Sequence, residues 1–123
     1  MKLCYVASVY SQGKASESLM QKRYEFVRDW VAGHFENSVE DDMVLYSPIV
    51  HNHPLAVVHD LPKTWDFWRK VDVATLRRSD LLIVLKMNGW EESVGIQGEI
   101  DVAKNLSIPI VYIDVEELGY KES

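Results

Sequence analysis

Four short apolar runs, separated by stretches of helical periodicity, constrain this chain more than any other feature. "KLCYVASVY" from Lys2, "MVLYSPIV" from Met43, "DLLIVLKM" from Asp80 and "IPIVYID" from Ile108 are rich in β-branched, aromatic and aliphatic residues and have strand length. Between the first two, Leu19, Phe26, Val27 and Trp30 recur at helical spacing over about residues 18–36, and "ENSVEDD" breaks the pattern. Thr64 is placed to cap a helix running to about Arg78, and Ser93 opens another that reaches Leu106. The segment "HNHPLAVVHDLPK", with its prolines and histidines, reads as a loop. The order is therefore β-α-β-α-β-α-β, and strands that are apolar almost throughout belong to parallel sheets covered on both faces.

At 123 residues the chain makes one domain. The expected fold is α/β, a single flavodoxin- or Rossmann-like three-layer domain with a mostly parallel sheet of four to five strands. Such sheets bind ligands beyond the carboxyl ends of their strands, an edge that residues 8–13, 47–53, 87–93 and the tail after Asp114 would line.

Charge narrows the partners. A net charge of −6 argues against nucleic acid, which needs a clustered basic face, and Arg69, Lys70, Arg77 and Arg78 are spread around their helix. One cysteine, Cys4, permits no intrachain disulfide and fits a reducing compartment. The apolar run from Leu3 to Val9 is too short for a membrane span and lacks a convincing cleavage site. A cytoplasmic protein without membrane partners is expected.

Two acids break the helical patterns. In the helix after Ser93, Ile96, Ile100, Ala103 and Leu106 share a stripe, and Glu99 falls inside it. In the helix after Thr64, Asp72 falls between Trp68 and Leu76 in the same way. Burying a carboxylate is costly unless it is paired or functional. Two such acids on two helices of one small sheet point to a site, and glycosidic chemistry uses a carboxylate nucleophile beside a second group that handles the leaving base and its proton.

These residues carry a resemblance. "LCYVASVYSQG" in the first strand, Asp72, and the Ser93 to Glu99 spacing ahead of a small-residue helix resemble the nucleoside 2-deoxyribosyltransferase superfamily, which includes 2-deoxynucleoside 5-phosphate N-hydrolases. "SPIVHNHP", "WDFW" and "NGWEESVGIQGEI" mark a distinct branch. The resemblance spans nearly the whole chain. It implies that Glu99 attacks C1′ and holds a covalent deoxyribosyl intermediate, that Asp72 contacts the sugar or assists departure of the base, and that Tyr5 orients Glu99. A strand tyrosine packed in the core is the other reading of Tyr5. The resemblance also implies a homo-oligomer, a dimer or larger, completing its sites across an interface.

For the substrate, Ser93 offers a neutral hydroxyl at a helix N-terminus, which favours a phosphate; a plain N-cap is its alternative role. Ser8, Gly95 and Asn88 are expected at the same edge. His51 and His53 could meet phosphate or base, while a His-x-His pair without an obvious third ligand makes a poor metal site. Trp90, in a loop, is a better stacking candidate than Trp65 and Trp68, whose spacing suits a core. No phosphate-binding P-loop or dinucleotide fingerprint occurs, and no Ser-His-Asp order can be assembled. Gly95 and Gly98 suit a close approach to ligand and tight helix packing. The expectation is cleavage or transfer at the N-glycosidic bond of a nucleoside or nucleoside 5-monophosphate, with neither metal nor cofactor. The alternatives are a nucleotide-binding module without catalysis and a structural domain whose acids serve only buried hydrogen bonds.

Overall fold

The computed structural model describes residues 1–122. The four strands are β1 (Lys2–Ala7), β2 (Met43–Tyr46), β3 (Leu81–Lys86) and β4 (Ile110–Asp114). They form one all-parallel sheet in the order β2-β1-β3-β4. The helices are α1 (Glu17–Glu40), α2 (Pro48–His59), α3 (Trp65–Leu76) and α4 (Val94–Asn105). The strand order is flavodoxin-like, and the four-stranded sheet lies at the lower bound of the expectation. From β1 the chain moves to β2 on one side; after β2 it returns to β3 on the other. The switch point falls between β1 and β3.

The second connection departs from the sequence expectation. "HNHPLAVVHDLPK" is not a loop: most of it belongs to α2. Ser47 caps this helix, its hydroxyl accepting from the Val50 amide at 3.2 Å, and Pro48 occupies the first turn. A proline there loses nothing, because its missing N–H has no intrahelical acceptor. Pro54 lies inside the helix and forgoes one backbone bond. A left-handed Asp60, φ 53°, ends α2. The same cap stops β2 at Tyr46, just ahead of Pro48, where the sequence pattern ends the strand. Helix α1 also runs further than its sequence pattern, to Glu40, and its buried positions are Met20, Arg23, Val27 and Val31, so an arginine takes a core place.

The core lies between sheet and helices. Cys4, Tyr5, Val6 and Val9 from the β1 segment meet Leu82, Val84 and Leu85 of β3, with Val27 of α1, Leu76 of α3 and Ile96, Ile100 and Ala103 of α4 packed around them. Helix α3 packs chiefly on α4. The contact is an aromatic ring on bare backbone: a Cβ added to Gly98 would lie 3.1 Å from Cζ2 of Trp65, and one at Gly95 would lie 3.3 Å from its Cε3. Glycines one turn apart thus make a flat seat for the indole. No helix among the described residues is long and apolar enough to cross a membrane.

Candidate functional site

At the carboxyl ends of β1 and β2 a cavity of about 270 Å³ opens. It lies near the lower limit for small-molecule sites. Val6, Ala7 and Ser8 end β1 at its floor; Tyr10, Ser11, Gln12 and Gly13 follow in the loop to α1. Asn52 and His53 of α2, Trp65, Trp68 and Asp72 of α3, and Ser93, Gly95, Ile96 and Glu99 of the α4 segment complete the lining.

The two acids of the broken stripes therefore face one space. Trp65, Trp68 and Asp72 are spaced at three and four residues, so they share one side of α3, and all three turn toward the cavity. Glu99, 5% exposed, points from α4. The hydroxyl of Tyr5 in β1 donates to Glu99 Oε2, and Tyr5 is fully buried. Both readings of Tyr5 hold together: it packs in the core and it binds Glu99.

Desolvation dominates the electrostatics. Burial lifts the Glu99 carboxyl to about 8, against the opposing hydrogen bond from Tyr5, and the negative charge of Asp72 adds to the rise. Burial likewise lifts Asp72 to about 7; the amide of Asn52, 3.4 Å from Asp72 Oδ1, pulls the other way. Tyr5 is pushed well above its ordinary value by burial and by the nearby acids, so it remains a donor. The site thus holds two carboxyls that exchange protons near neutrality.

Ser93 takes the N-cap place and also lies at the cavity wall. Its hydroxyl accepts from the Ile96 amide at 3.3 Å, capping α4, and the residue lines the cavity. Ser8 Oγ is buried and finds no hydrogen-bond partner among the described residues, which leaves a polar group at the cavity floor to be satisfied by what enters. His53 lines the cavity, whereas His51 is exposed and bonds its neighbour Asn52 at 2.7 Å. Asn88 is exposed, and Trp90 packs against the core and Tyr112; neither lines the cavity. The tryptophans exchange roles relative to the sequence expectation: Trp65 and Trp68 supply the aromatic wall because α3 leans on α4 rather than sinking into the sheet.

Tyr10, Gln21 and Arg23 carried no recognisable sequence signal. The Tyr10 hydroxyl pairs with His53 Nδ1, and His53 Nε2 meets Gln21 Oε1 at 2.7 Å. Arg23, only 3% exposed, donates to the carbonyls of Tyr10 at 2.7 Å and Gln12 at 3.0 Å and forms a bidentate pair with Glu122 at 2.9 and 3.0 Å. The guanidinium ties the cavity loop to the C-terminal tail. Lys63 is the one cation among the lining side chains described. No three His, Cys, Asp or Glu side chains are grouped to hold a metal among the described residues.

Comparison with known proteins gives a family without an activity. The chain belongs to the family described as a domain of unknown function, DUF1937, which matches residues 2–115. No curated protein matches the chain.

Proposed function

We propose that this domain of unknown function cleaves, or transfers from, the N-glycosidic bond of a nucleoside or nucleoside 5-monophosphate. The observation that carries the reading is a buried glutamate, held through one oxygen by Tyr5, facing the same cavity as a second, half-buried acid. The resemblance to nucleoside 2-deoxyribosyltransferases noted from "LCYVASVYSQG", Asp72 and the Ser93 to Glu99 spacing supports the same assignment.

With Oε2 engaged by Tyr5, Oε1 of ionised Glu99 is the oxygen that attacks C1′. The C1′–N bond breaks, and its electron pair leaves with the base nitrogen, which takes a proton from neutral Asp72. An ester joins Glu99 to the sugar. Water, or an acceptor base, then adds to C1′ while the ester C–O bond breaks; Asp72 takes the released proton and the carboxylate is restored. Trp65 and Trp68 offer faces on which a base stacks, and Lys63 and Ser93 suit an anionic 5-phosphate. No step calls for a metal or cofactor. Apolar side chains exposed on α2 and α3, among them Val57, Val58, Phe67 and Val71, support self-association into a dimer or larger assembly.

Chromatographic detection of free base tests the reading directly. A panel of nucleosides and monophosphates is incubated with the protein, with and without an acceptor base. Release that vanishes in Glu99→Ala supports the enzyme; no release from any member defeats it.

A second reading, a nucleotide-binding module without turnover, draws on the same burial. A carboxyl kept neutral at pH 7 serves as a hydrogen-bond donor and need not react. Under it, ligands raise the melting temperature while no base appears.

A further inference from the structure

The Tyr10–His53 pair is not used in the steps above, although both residues line the cavity. His53 sits on α2 with its ring between two tyrosines: 4.5 Å from the Tyr24 ring centre and edge-on to Tyr10 at 5.3 Å. Its hydrogen-bond directions are fixed by its partners. Gln21 Oε1 can only accept, so Nε2 carries the ring proton and donates to it. Nδ1 of the neutral ring then has only a lone pair, and it accepts from the Tyr10 hydroxyl. Burial, with the charge of Lys63 adding to it, lowers the imidazole's proton affinity and keeps the ring neutral.

The consequence falls on Tyr10. A free tyrosine hydroxyl can donate or accept, and so discriminates poorly between ligand groups. Here the single proton is committed to His53. The oxygen has acceptor capacity alone to offer a ligand, and Tyr10 makes no second side-chain hydrogen bond among the described residues. An N–H group placed against it gains a bond. A carbonyl placed against it meets lone pairs, and both groups are left buried and unpaired.

We propose that Tyr10, its proton held by His53, is a specificity-determining residue that selects bases presenting an amino group over those presenting a carbonyl at the same position. The inference rests on the nucleoside reading and narrows it to amino-bearing bases such as adenine or cytosine types. The Gln21–His53–Tyr10 chain sets the direction of the outermost hydrogen bond from a helix remote from the reacting acids. A site built to satisfy a ligand N–H discriminates through the group left unpaired by the wrong partner.

Matched pairs isolate this contact: 2′-deoxyadenosine against 2′-deoxyinosine, and 2′-deoxycytidine against 2′-deoxyuridine. Base release and the ligand-induced rise in melting temperature are both measured, for wild type, Tyr10→Phe and His53→Leu. The expected wild-type result is a preference of at least about tenfold for the amino member of one pair. In His53→Leu, Tyr10 is free to donate or accept, and the ratio collapses toward one. In Tyr10→Phe the selecting oxygen is gone, and the ratio falls as well. A merely structural role would weaken both members of a pair alike and leave the ratio unchanged. Equal wild-type release from amino and oxo members, an oxo preference, or a wild-type ratio surviving in both variants overturns the inference while the nucleoside reading stands. An amino preference in melting temperature with no base released by any of the four or by their 5-monophosphates sustains the inference and sinks the enzymatic reading. Neither release nor a thermal shift with any of the four or their 5-monophosphates overturns both.

Discussion

Tyr5 and Glu99 meet across 94 positions of sequence, phenol to carboxylate, with both side chains sealed from solvent. The pairing fixes one oxygen of the acid from the central strand β1 and leaves the other toward the cavity. Tyr5→Phe keeps the ring and removes the donor. The expected outcome is folded protein with base release reduced about 10- to 100-fold, because the bond orients and stabilises the carboxylate without reacting. Steady-state kinetics checks this, and unchanged kcat would show that the phenol only packs.

Removing the proposed nucleophile is a sharper test than loosening it. Glu99→Gln retains an oxygen for Tyr5 and loses the reactive anion. Base release should fall by roughly 10³-fold or more, while a nucleoside still raises the melting temperature. Residual release near the wild-type rate would exclude covalent attack by this residue.

The acids also set a pH profile. In the proposed reaction Glu99 attacks in its ionised form and so gains as pH climbs toward about 8, while Asp72 donates in its neutral form and so loses as pH passes about 7. Their interaction makes these apparent constants of the pair. The expected kcat/KM profile is a bell with its maximum between about 7 and about 8, and Asp72→Asn should flatten its alkaline limb.

Stability responds to pH through the same two groups, with a sign that follows from their raised values. Unfolded, both acids ionise near the ordinary carboxyl range; folded, they hold their protons to about 7 and about 8. Between those limits the folded chain binds more protons, so their contribution is full only below the unfolded carboxyl range, falls steadily as pH rises from there, and is gone above the folded values of about 7 and about 8. Melting temperature is expected to drop from pH 5.5 to pH 8.5, by less in Glu99→Gln and least in the Asp72→Asn, Glu99→Gln double variant (pH values of about 5.5 and 8.5 bracket the two groups). A drop of equal size in all three would assign the effect elsewhere.

Arg23 predicts a loss of a different kind. Truncating it to alanine leaves Glu122 with the Tyr120 hydroxyl as its partner and frees the carbonyls of Tyr10 and Gln12. A fully buried charge pair broken on one side costs about 3–5 kcal/mol; this pair is part-buried, and denaturant titration should read a loss below that range. Glu122→Gln, which keeps one acceptor, should cost less.

How much of this was legible beforehand differs from residue to residue. The strands announced themselves because their apolar runs are uninterrupted, even in β4, where Val111 and Tyr112 are exposed. Asp72 and Glu99 stood out because helical periodicity exposes any polar residue on the wrong side. Helix α2 was obscured because Pro48 and Pro54 read as breakers, although the first fills a position where proline is welcome and the second is tolerated in an otherwise bonded helix. Asn88 and Trp90 looked like site residues by proximity to Ser93, but the chain turns through residues 90–92 before reaching the cavity and carries both away from it. Tyr10, His53 and Gln21 come together from three separate segments, and Arg23 reaches a tail 99 positions away. No local pattern encodes such meetings.

The seat of Trp65 on Gly95 and Gly98 has a geometric consequence for the two acids. Asp72 rides on the same helix as that indole and Glu99 on the same helix as those glycines, so the thickness of one aromatic ring acts as the spacer between the carboxyls. A methyl group at Gly98 would meet the indole edge at 3.1 Å, so either the ring gives by a few tenths of an ångström or the helices part and the jaw widens without either acid being touched. For the proposed reaction, such a change in gap alone would cost activity in a protein that still folds.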